Sequence, residues 1–355
     1  MLTLQRAEAL AEAAAAFPIL GEIGVTDLLE TVRLELGHEA ILDGFQSYGR
    51  HMSRAVPIDP ILHIVSGNTP HAALQSLLRG LLLGARNLVK LPSSGLPEVE
   101  EFLSLLPEPL RLRVQVAHQL PDEWLRKSRA WIVFGSDETV AHFRKLARPG
   151  IVFSAHPHRL SLCVVFDDPR FESLPFAARD VSLFDQKGCL SPHDIYVAGD
   201  ARAYAERLAV EMARVQERIP RSPISREETA QIADLRANYT FRAANDPRVQ
   251  IWQSEGSTDW TVIFEDDPWF AASCLNRLVF VKPLPEDLSF ALDPVRGWLA
   301  GAGIWPATPE NAEKISRLGF SRICQIGRMQ EPPLTWHQEG AQTLAHFVQW
   351  VDFEP

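Results

Sequence analysis

The sequence predicts an α/β protein with mostly parallel sheets and two domains, and three observations support this fold class. Short apolar runs alternate with longer segments of helical periodicity, which is the pattern of βαβ units. The chain has 355 residues, enough for two domains of about 150 residues each. Charged residues make up 23% and hydrophobic residues 46% of the chain, which is the composition of a folded globular protein.

The first domain is predicted to extend over 1–158. It starts with an Ala-rich amphipathic helix, since the segment carries acidic residues and lacks the long apolar stretch of a signal peptide. Helices are predicted over 71–84, over 98–106 and from Ser136 onward. Apolar runs predict buried strands, linked by right-handed crossovers, at 61–66, 87–91, 113–117, 130–135 and 151–155.

The second domain is predicted over 159–335, and residues 336–355 are expected to form a C-terminal tail. Two long helices are predicted over 202–218 and 226–242, joined by a polar, Pro-bearing loop. Apolar runs predict buried strands at 161–166, 194–198, 249–253, 260–265, 277–281 and 322–327.

Charge and cysteine content exclude several classes of function. Lys and Arg number 35 and Asp and Glu number 45, so the formal net charge is −10, whereas nucleic-acid-binding proteins are usually basic. No apolar run approaches the roughly 20 residues that span a membrane. The 4 cysteines are widely spaced, which argues against a disulfide framework and a metal site. We expect a cytoplasmic protein without metal, nucleic acid or a membrane span.

Cys189 differs from the other cysteines in its surroundings. Cys163 and Cys324 lie in apolar, strand-like segments, and Cys274 has no evident activating neighbour. Cys189 lies in a polar loop, FDQKGCLSP, just before a predicted strand. Lys187 and local N–H donors are expected to lower its pKa, and a thiolate is a strong nucleophile. The alternative is an incidental loop cysteine.

Polar residues follow the predicted strands of the first domain. In an open α/β sheet, ligands bind at the carboxyl ends of the strands. The turn 66–70 contains Asn68, whose amide is suited to stabilising a developing negative charge; the alternative is a helix cap. Gly135 and Ser136 form a turn that is able to hold a pyrophosphate, although no GxGxxG motif is present. Lys90 ends a strand, which by itself indicates only a solvated terminus.

These pieces occur in an order that resembles the aldehyde dehydrogenase superfamily. GNTPHAALQSLLRGLLLGARNLVKLPSS resembles its stretch of Asn loop, long helix and Lys-Pro strand end, and FGSDETV resembles its pyrophosphate turn. GCLSPHDIYV resembles its catalytic cysteine loop. Within the superfamily, the sequence is most similar to the long-chain acyl-CoA reductases of bacterial luminescence, with similar segments over most of 60–345.

The resemblance implies a Rossmann-like cofactor domain and an α/β catalytic domain with an aldehyde-dehydrogenase-like fold. It implies that Cys189 attacks an acyl-CoA or other acyl thioester and forms an acyl-enzyme, which hydride transfer converts to an aldehyde. Asn68 would then donate to the oxyanion. The superfamily's general-base glutamate lies in an ELGGK-like segment, which reads SAHPHRLS here. Its loss disfavours hydrolysis of the acyl-enzyme, and His156 falls near its place as a candidate acid.

The resemblance also implies the cofactor contacts. Lys90, Ser93 and Ser94 match the region that contacts the adenosine ribose, and Gly135 and Ser136 match the pyrophosphate turn.

Coenzyme preference follows from the same comparison. Members that use NAD often carry a glutamate near Ser93 and Ser94, so serines favour NADPH, with NADH as the alternative. Glu265 is expected to match the superfamily's ribose-binding glutamate.

Two other functions remain open from the sequence. One is a cysteine-dependent acyl transferase or thioesterase without redox chemistry. The other is a catalytically inactive scaffold subunit of a reductase complex. The resemblance further implies an acyl-activating partner protein and a homo-oligomer.

Overall fold

The computed structural model describes residues 1–67 and 70–354, apart from the side chain of Pro18. The chain divides into two compact units, one formed by 1–158 with 333–355 and the other by 159–332. Within the described residues, no helix is long and apolar enough to cross a membrane.

The secondary-structure elements are numbered along the chain. The strands are β1 Gln46–Tyr48, β2 His51–Pro57, β3 Ile61–Ile64, β4 Asn87–Lys90, β5 Val114–Ala117, β6 Ala130–Phe134, β7 Val152–His156, β8 Leu160–Val165, β9 Pro192–Val197, β10 Val249–Gln253, β11 Thr261–Glu265, β12 Leu278–Pro283, β13 Leu299–Trp305, β14 Arg322–Gln325 and β15 Val348–Phe353. The helices are α1 Thr3–Ala14, α2 Val25–Leu36, α3 Pro70–Leu83, α4 Pro97–Leu105, α5 Glu108–Arg111, α6 Asp122–Lys127, α7 Asp137–Leu146, α8 Leu174–Ser182, α9 Ala201–Arg218, α10 Arg226–Asn245, α11 Leu288–Leu292 and α12 Pro309–Ile315.

The first unit is built on a parallel sheet in the order β5-β4-β3-β6-β7. The chain runs outward from β3 to β5, then returns to the other side of β3 and continues through β6 to β7. The direction of winding therefore reverses between β3 and β6, as in half of a doubly wound dinucleotide-binding fold. The strands predicted in this region are present, and their bounds move by two residues or fewer.

The helix α3 is buried on nearly all sides. It begins at Pro70, which suits the first turn of a helix, and it ends before Gly84, whose φ of +83° is in the left-handed region. The polar residues Gln75, Ser76 and Arg79 are buried on it. Buried polar groups need hydrogen-bond partners. The polar side chains of α3 must therefore find theirs among the neighbouring residues of the first unit.

His63 at the centre of the sheet connects α3 to β4. Its Nδ1 lies 2.8 Å from Ser76 Oγ, and its Nε2 lies 2.9 Å from Asn87 Oδ1. Asn87 Nδ2 donates to the Ala85 carbonyl, so Asn87 Oδ1 is the acceptor and the His63 proton lies on Nε2. Burial lowers the pKa of His63 to about 4, so the imidazole is neutral and accepts from the Ser76 hydroxyl.

The C-terminal residues 333–355 pack within the first unit. Strand β15 pairs antiparallel with β2, which also pairs with β1. The Arg79 guanidinium donates to the Leu334 carbonyl at 3.0 Å and to Gln338 Oε1 at 3.2 Å. The Glu35 carboxylate accepts from Thr343 Oγ1 at 2.7 Å. The segment predicted as a tail thus forms a strand and side-chain contacts.

The second unit, all of whose residues are described, is built on a mixed sheet in the order β10-β11-β12-β9-β8-β13-β14. Its neighbouring strands are parallel except for β10, which pairs antiparallel with β11 at one edge. Strand β13 was not predicted from the sequence because LAGAGIW is rich in Ala and Gly. Those small residues allow close packing: a Cβ on Gly303 would lie 2.8 Å from Met329 Sδ and 3.2 Å from Cys163 Sγ.

We predict that Gly80→Ala destabilises the first unit by about 2 kcal/mol. Ala ordinarily stabilises a helix interior by about 1 kcal/mol relative to Gly. Here the added Cβ would lie 2.0 Å from Asn87 Oδ1, so it must displace the His63 network, and overpacking typically costs about 1–3 kcal/mol in addition to the unmade hydrogen bond.

The measurement is denaturant unfolding. Gly44→Ala is the matched control, since a Cβ there would meet nothing within 4 Å. Equal stability of the two variants would contradict the prediction.

Candidate active site

Cys189 lies on a loop immediately before β9, and the loop backbone is fixed from several sides. The residue is partly exposed, whereas Gly188 before it is buried. Ser161 Oγ donates to the Cys189 carbonyl at 2.7 Å, and Ser191 N donates to the Gly188 carbonyl at 3.0 Å. Gln330 Nε2 donates to Ser191 Oγ at 3.0 Å. The cysteine is therefore held by its backbone while its side chain stays accessible.

The residues that lead into this loop have an unfavourable backbone conformation. Phe184, Asp185 and Gln186 have φ values of +53°, +52° and +63°. These values lie in the left-handed region, where a residue with a Cβ loses on the order of 1–2 kcal/mol. Three such residues in succession persist only if their surroundings hold them.

A buried ion pair provides the first of these restraints. The Arg277 guanidinium contacts Asp185 Oδ1 through Nη2 at 2.7 Å and through Nε at 2.9 Å. The side chains are 2% and 10% exposed, so the pair is largely desolvated. Asp185 also accepts from the Ser222 and Asn276 amides, through its side chain and its carbonyl respectively.

The Gln186 side chain provides the second restraint. Its Nε2 donates to the Pro192 carbonyl at 2.8 Å and to the Leu278 carbonyl at 2.7 Å, and its Oε1 accepts from Leu278 N at 2.9 Å. The facing segment 275–277 is also left-handed, with φ values of +64°, +56° and +66°. Two strained segments thus restrain each other beside β9 and β12.

Lys187 has a carboxylate partner that sequence reasoning did not identify. Its ammonium forms an ion pair with Glu228 Oε1 at 2.7 Å. The hydrogen bond from Lys187, followed by that from the Ser225 amide, lowers the pKa of Glu228 to about 2. The Glu228 carboxylate offsets the Lys187 charge, and activation of the Cys189 thiol by this lysine stays a prediction.

The other three thiols are in settings that suppress the thiolate. Cys163 is fully buried, and burial raises its pKa well above the ordinary value. Burial likewise raises the pKa of Cys274, and it raises that of Cys324 to about 11. These thiols remain protonated at neutral pH and are poor nucleophiles.

The predicted cofactor residues of the first unit lie at one edge of its sheet. Lys90 ends β4 and is paired in register with Ile64 of β3, which is paired in turn with Val133 of β6. The turns that follow β3, β4 and β6 therefore emerge side by side, at the reversal of strand order where such folds bind dinucleotides. Asn68, predicted to donate to the oxyanion, lies outside the described residues.

Lys90 and the two serines fit a dinucleotide. Lys90 is partly exposed, and its side chain makes no hydrogen bond or ion pair with any described residue. Ser93 and Ser94 are exposed, and a Cβ on Gly67 would lie 3.3 Å from Ser94 Oγ. An ammonium at the end of a strand and exposed hydroxyls in the turn that follows it are suited to ribose and phosphate oxygens.

The Gly135–Ser136 turn fits a pyrophosphate through its backbone. A Cβ on Gly135 would lie 2.8 Å from Thr139 Cγ2, so glycine is required there and the backbone stays approachable. Ser136 Oγ accepts from Thr139 N at 3.3 Å and caps α7. Its side chain therefore has a structural role, and the N-terminal amides of α7 are the groups that would face a phosphate.

His156 ends β7 and lines a cavity of about 210 Å³ in the first unit. Its ring stacks on Phe134, with centroids 4.4 Å apart and planes at 13°. Its Nε2 lies 3.1 Å from Ser154 Oγ, and its Nδ1 lies 4.0 Å from Glu339 Oε1. Sequence reasoning missed Glu339, because nothing local marks a residue of the C-terminal segment as a partner of β7.

Glu265 has partners within the second unit. The Arg242 guanidinium contacts one carboxylate oxygen at 2.5 Å, and the Lys282 ammonium contacts the other at 3.1 Å. Tyr239 donates to the same carboxylate at 3.4 Å. Both oxygens thus belong to a largely buried charge network, and ribose binding by Glu265 stays a prediction.

Comparison with known sequences indicates a reductase family. A family model described as acyl-CoA reductase (LuxC) matches residues 2–350. The long-chain acyl-protein thioester reductase of Aliivibrio fischeri is 22% identical over 344 residues, which cover 92% of this chain and 70% of the relative.

Solved aldehyde dehydrogenases share the fold. The succinate-semialdehyde dehydrogenase of Burkholderia pseudomallei gives a TM-score of 0.70 at 12% identity, covering 99% of this chain and 86% of that one. The Mycobacterium tuberculosis aldehyde dehydrogenase complexed with NAD+ gives 0.66 at 13% identity, covering 99% and 85%. The predicted aldehyde-dehydrogenase-like α/β fold is confirmed.

We predict that iodoacetamide alkylates Cys189 at least about tenfold faster than the other thiols near pH 7.5. Its partial exposure permits attack, whereas burial raises the pKa of Cys163, Cys274 and Cys324 and leaves little thiolate. Peptide mass spectrometry of timed samples measures the four rates. Labelling of Cys274 or Cys324 ahead of Cys189 would contradict this assignment.

We predict that Asp185→Asn destabilises the second unit by about 3 kcal/mol, because it leaves the Arg277 charge buried without a counter-ion. Denaturant unfolding measures the effect.

Asp246→Asn is the matched control. It breaks a 2.9 Å ion pair with Arg248 whose side chains are 32% and 69% exposed, so stability should be essentially unchanged. If both variants lost a similar amount of unfolding free energy, burial of the Asp185–Arg277 pair would not make it more stabilising than an exposed ion pair, and the prediction would be wrong.

Proposed function

Because the chain belongs to the acyl-CoA reductase (LuxC) family, we propose that it reduces a fatty acyl thioester to the aldehyde with NADPH, through an acyl-enzyme at Cys189. One observation carries the proposal: Cys189 lies on a strained loop and is partly exposed, whereas burial raises the pKa of each of the other three thiols, of which Cys274 and Cys324 are also partly exposed. We propose acyl-CoA as the donor. The name of the Aliivibrio fischeri relative makes an acyl-protein thioester the alternative donor of the same chemistry.

In the first step, the Cys189 thiolate attacks the acyl carbon. The carbon–sulfur bond to the donor breaks, and the departing thiolate leaves with the electron pair and takes up a proton. The contact of Ser161 with the Cys189 carbonyl and the restraints on 184–186 fix the loop before substrate arrives. Pre-set geometry of this kind lowers the entropic part of the barrier. Asn68 is proposed to donate to the developing oxyanion.

The coenzyme, when bound, supplies a hydride to the acyl carbon, so that thioester, NADPH and a proton give aldehyde, free thiol and NADP+. Lys90 is proposed to bind the ribose or its 2′-phosphate, together with Ser93 and Ser94. The amides that follow Gly135 are proposed to bind the pyrophosphate. His156 is proposed to protonate the departing thiolate.

The residue at the end of β7 favours reduction of the acyl-enzyme over its hydrolysis. Strand β7 ends in His156, which falls near the place where the hydrolytic members of the superfamily resembled by this sequence carry a general-base glutamate. A water molecule is poorly activated without a base placed against the acyl carbon, so the acyl-enzyme survives until it is reduced.

The test is turnover of the purified chain with reduced nicotinamide coenzyme and acyl-CoAs of several chain lengths. We expect coenzyme oxidation and aldehyde release in equal amounts, and a loss of at least about 10³-fold in Cys189→Ala. Cys324→Ala is the matched control and should retain activity, because that thiol is protonated and lies in a strand. Comparison of NADPH with NADH tests coenzyme preference in the same assay.

The alternatives predict different outcomes. An acyl adduct on Cys189 in intact-mass spectra, without coenzyme oxidation by any donor, would indicate acyl transfer or thioester hydrolysis. Absence of both adduct and turnover with acyl-CoA and with an acyl-protein thioester would indicate a scaffold. Turnover with the protein-bound donor alone would correct the donor and keep the reaction.

A further inference from the structure

We propose that Glu339 is a positioning residue for His156, orienting its imidazole and favouring the protonated form that donates a proton. This inference rests on the proposed function, since it concerns the acid that His156 is proposed to be. It adds a residue from the C-terminal segment, far along the sequence from any of the motifs that indicated the site.

The His156 ring is restrained on three sides by residues of the first unit. Phe134 stacks against its face at 4.4 Å, which fixes the ring plane. Ser154 Oγ lies 3.1 Å from Nε2, and Glu339 Oε1 lies 4.0 Å from Nδ1. The contact with Glu339 is at ion-pair distance, about 1 Å longer than a hydrogen bond. The His156 and Glu339 side chains are 12% and 15% exposed, so solvent screens this contact only in part.

The backbone of Glu339 supports a specific role for its side chain. Its φ is +57°, in the left-handed region, and Gly340 follows at +76°. A glutamate in this conformation is unfavourable relative to glycine, so the carboxylate that faces His156 lies on a strained backbone position. The preceding residue, Gln338, accepts from Arg79, which fixes the segment against α3.

The charges around the cavity explain why His156 needs a carboxylate. Arg79 from α3 and His346 from the C-terminal segment line the same cavity as His156 and Glu339. Burial lowers the pKa of Arg79 to about 10, so it is still a cation at neutral pH. A neighbouring cation and partial burial both disfavour an imidazolium, whereas the Glu339 carboxylate favours it.

The arrangement also assigns the proton. With Nδ1 facing the carboxylate, Nε2 is the nitrogen that releases its proton, which passes to the departing thiolate by way of the Ser154 hydroxyl 3.1 Å away. The neutral imidazole then regains a proton from solvent. Glu339 touches no reacting atom, so it acts through His156.

The test compares pH profiles of kcat for the wild type, Glu339→Gln and Glu339→Gly. If protonated His156 is required, activity falls as pH rises through its titration. Removal of the carboxylate should move this alkaline limb to lower pH by about one unit and reduce activity at neutral pH about tenfold. Glycine suits the left-handed backbone, so an effect shared by both variants does not come from misfolding. Unchanged limbs in both variants would overturn the proposal.

Glu101→Gln is the matched control, because it removes one negative charge from an exposed position on α4 and should leave the pH profile unchanged. NMR titration tests the contact between His156 and Glu339 independently of turnover. The His156 imidazole signal is identified as the one missing in His156→Gln. We expect a lower titration midpoint in both Glu339 variants. An unchanged midpoint overturns the pairing even if the enzyme is active. A lower midpoint in a protein without turnover keeps the pairing and refutes the proposed function instead.

Discussion

The buried ion pair between Asp185 and Arg277 is the interaction on which the cysteine loop depends. It joins two left-handed segments, 184–186 and 275–277, neither of which is favourable for residues with a Cβ. The Gln186 side chain adds hydrogen bonds to the strands on both sides. Strain of this kind is retained where a group must be held at one position, and here the held group is the Cys189 backbone.

In the first unit, the order of the strands in the sheet determines where a ligand is expected to bind. The reversal between β3 and β6 brings together the turns that follow β3, β4 and β6. The C-terminal segment contributes Glu339 to the cavity that His156 lines. Each unit therefore fixes its proposed functional groups through contacts between residues that are distant in sequence, and the groups need little rearrangement before they act.

Local pattern predicted the elements whose residues match their environment. The buried strands of both units are apolar and β-branched, so their existence was evident and only their ends moved. Strand β13 was missed because glycine has a low strand propensity. Gly301 and Gly303 occur there because a Cβ would lie too close to Ser161 and Met329. Pairing of β15 with β2 was also missed, because it joins two segments that are far apart in the sequence.

The sequence by itself determined the fold class, the family and the distinctive setting of Cys189, since these depend on periodicity, motif order and local composition. Tertiary structure alone decided that Lys187 pairs with Glu228, that Glu265 lies in a charge network, and that Glu339 faces His156. The physical reason is that a side chain's charge acts on whatever lies within a few ångströms of it, and only the packed chain brings residues from distant segments to that distance.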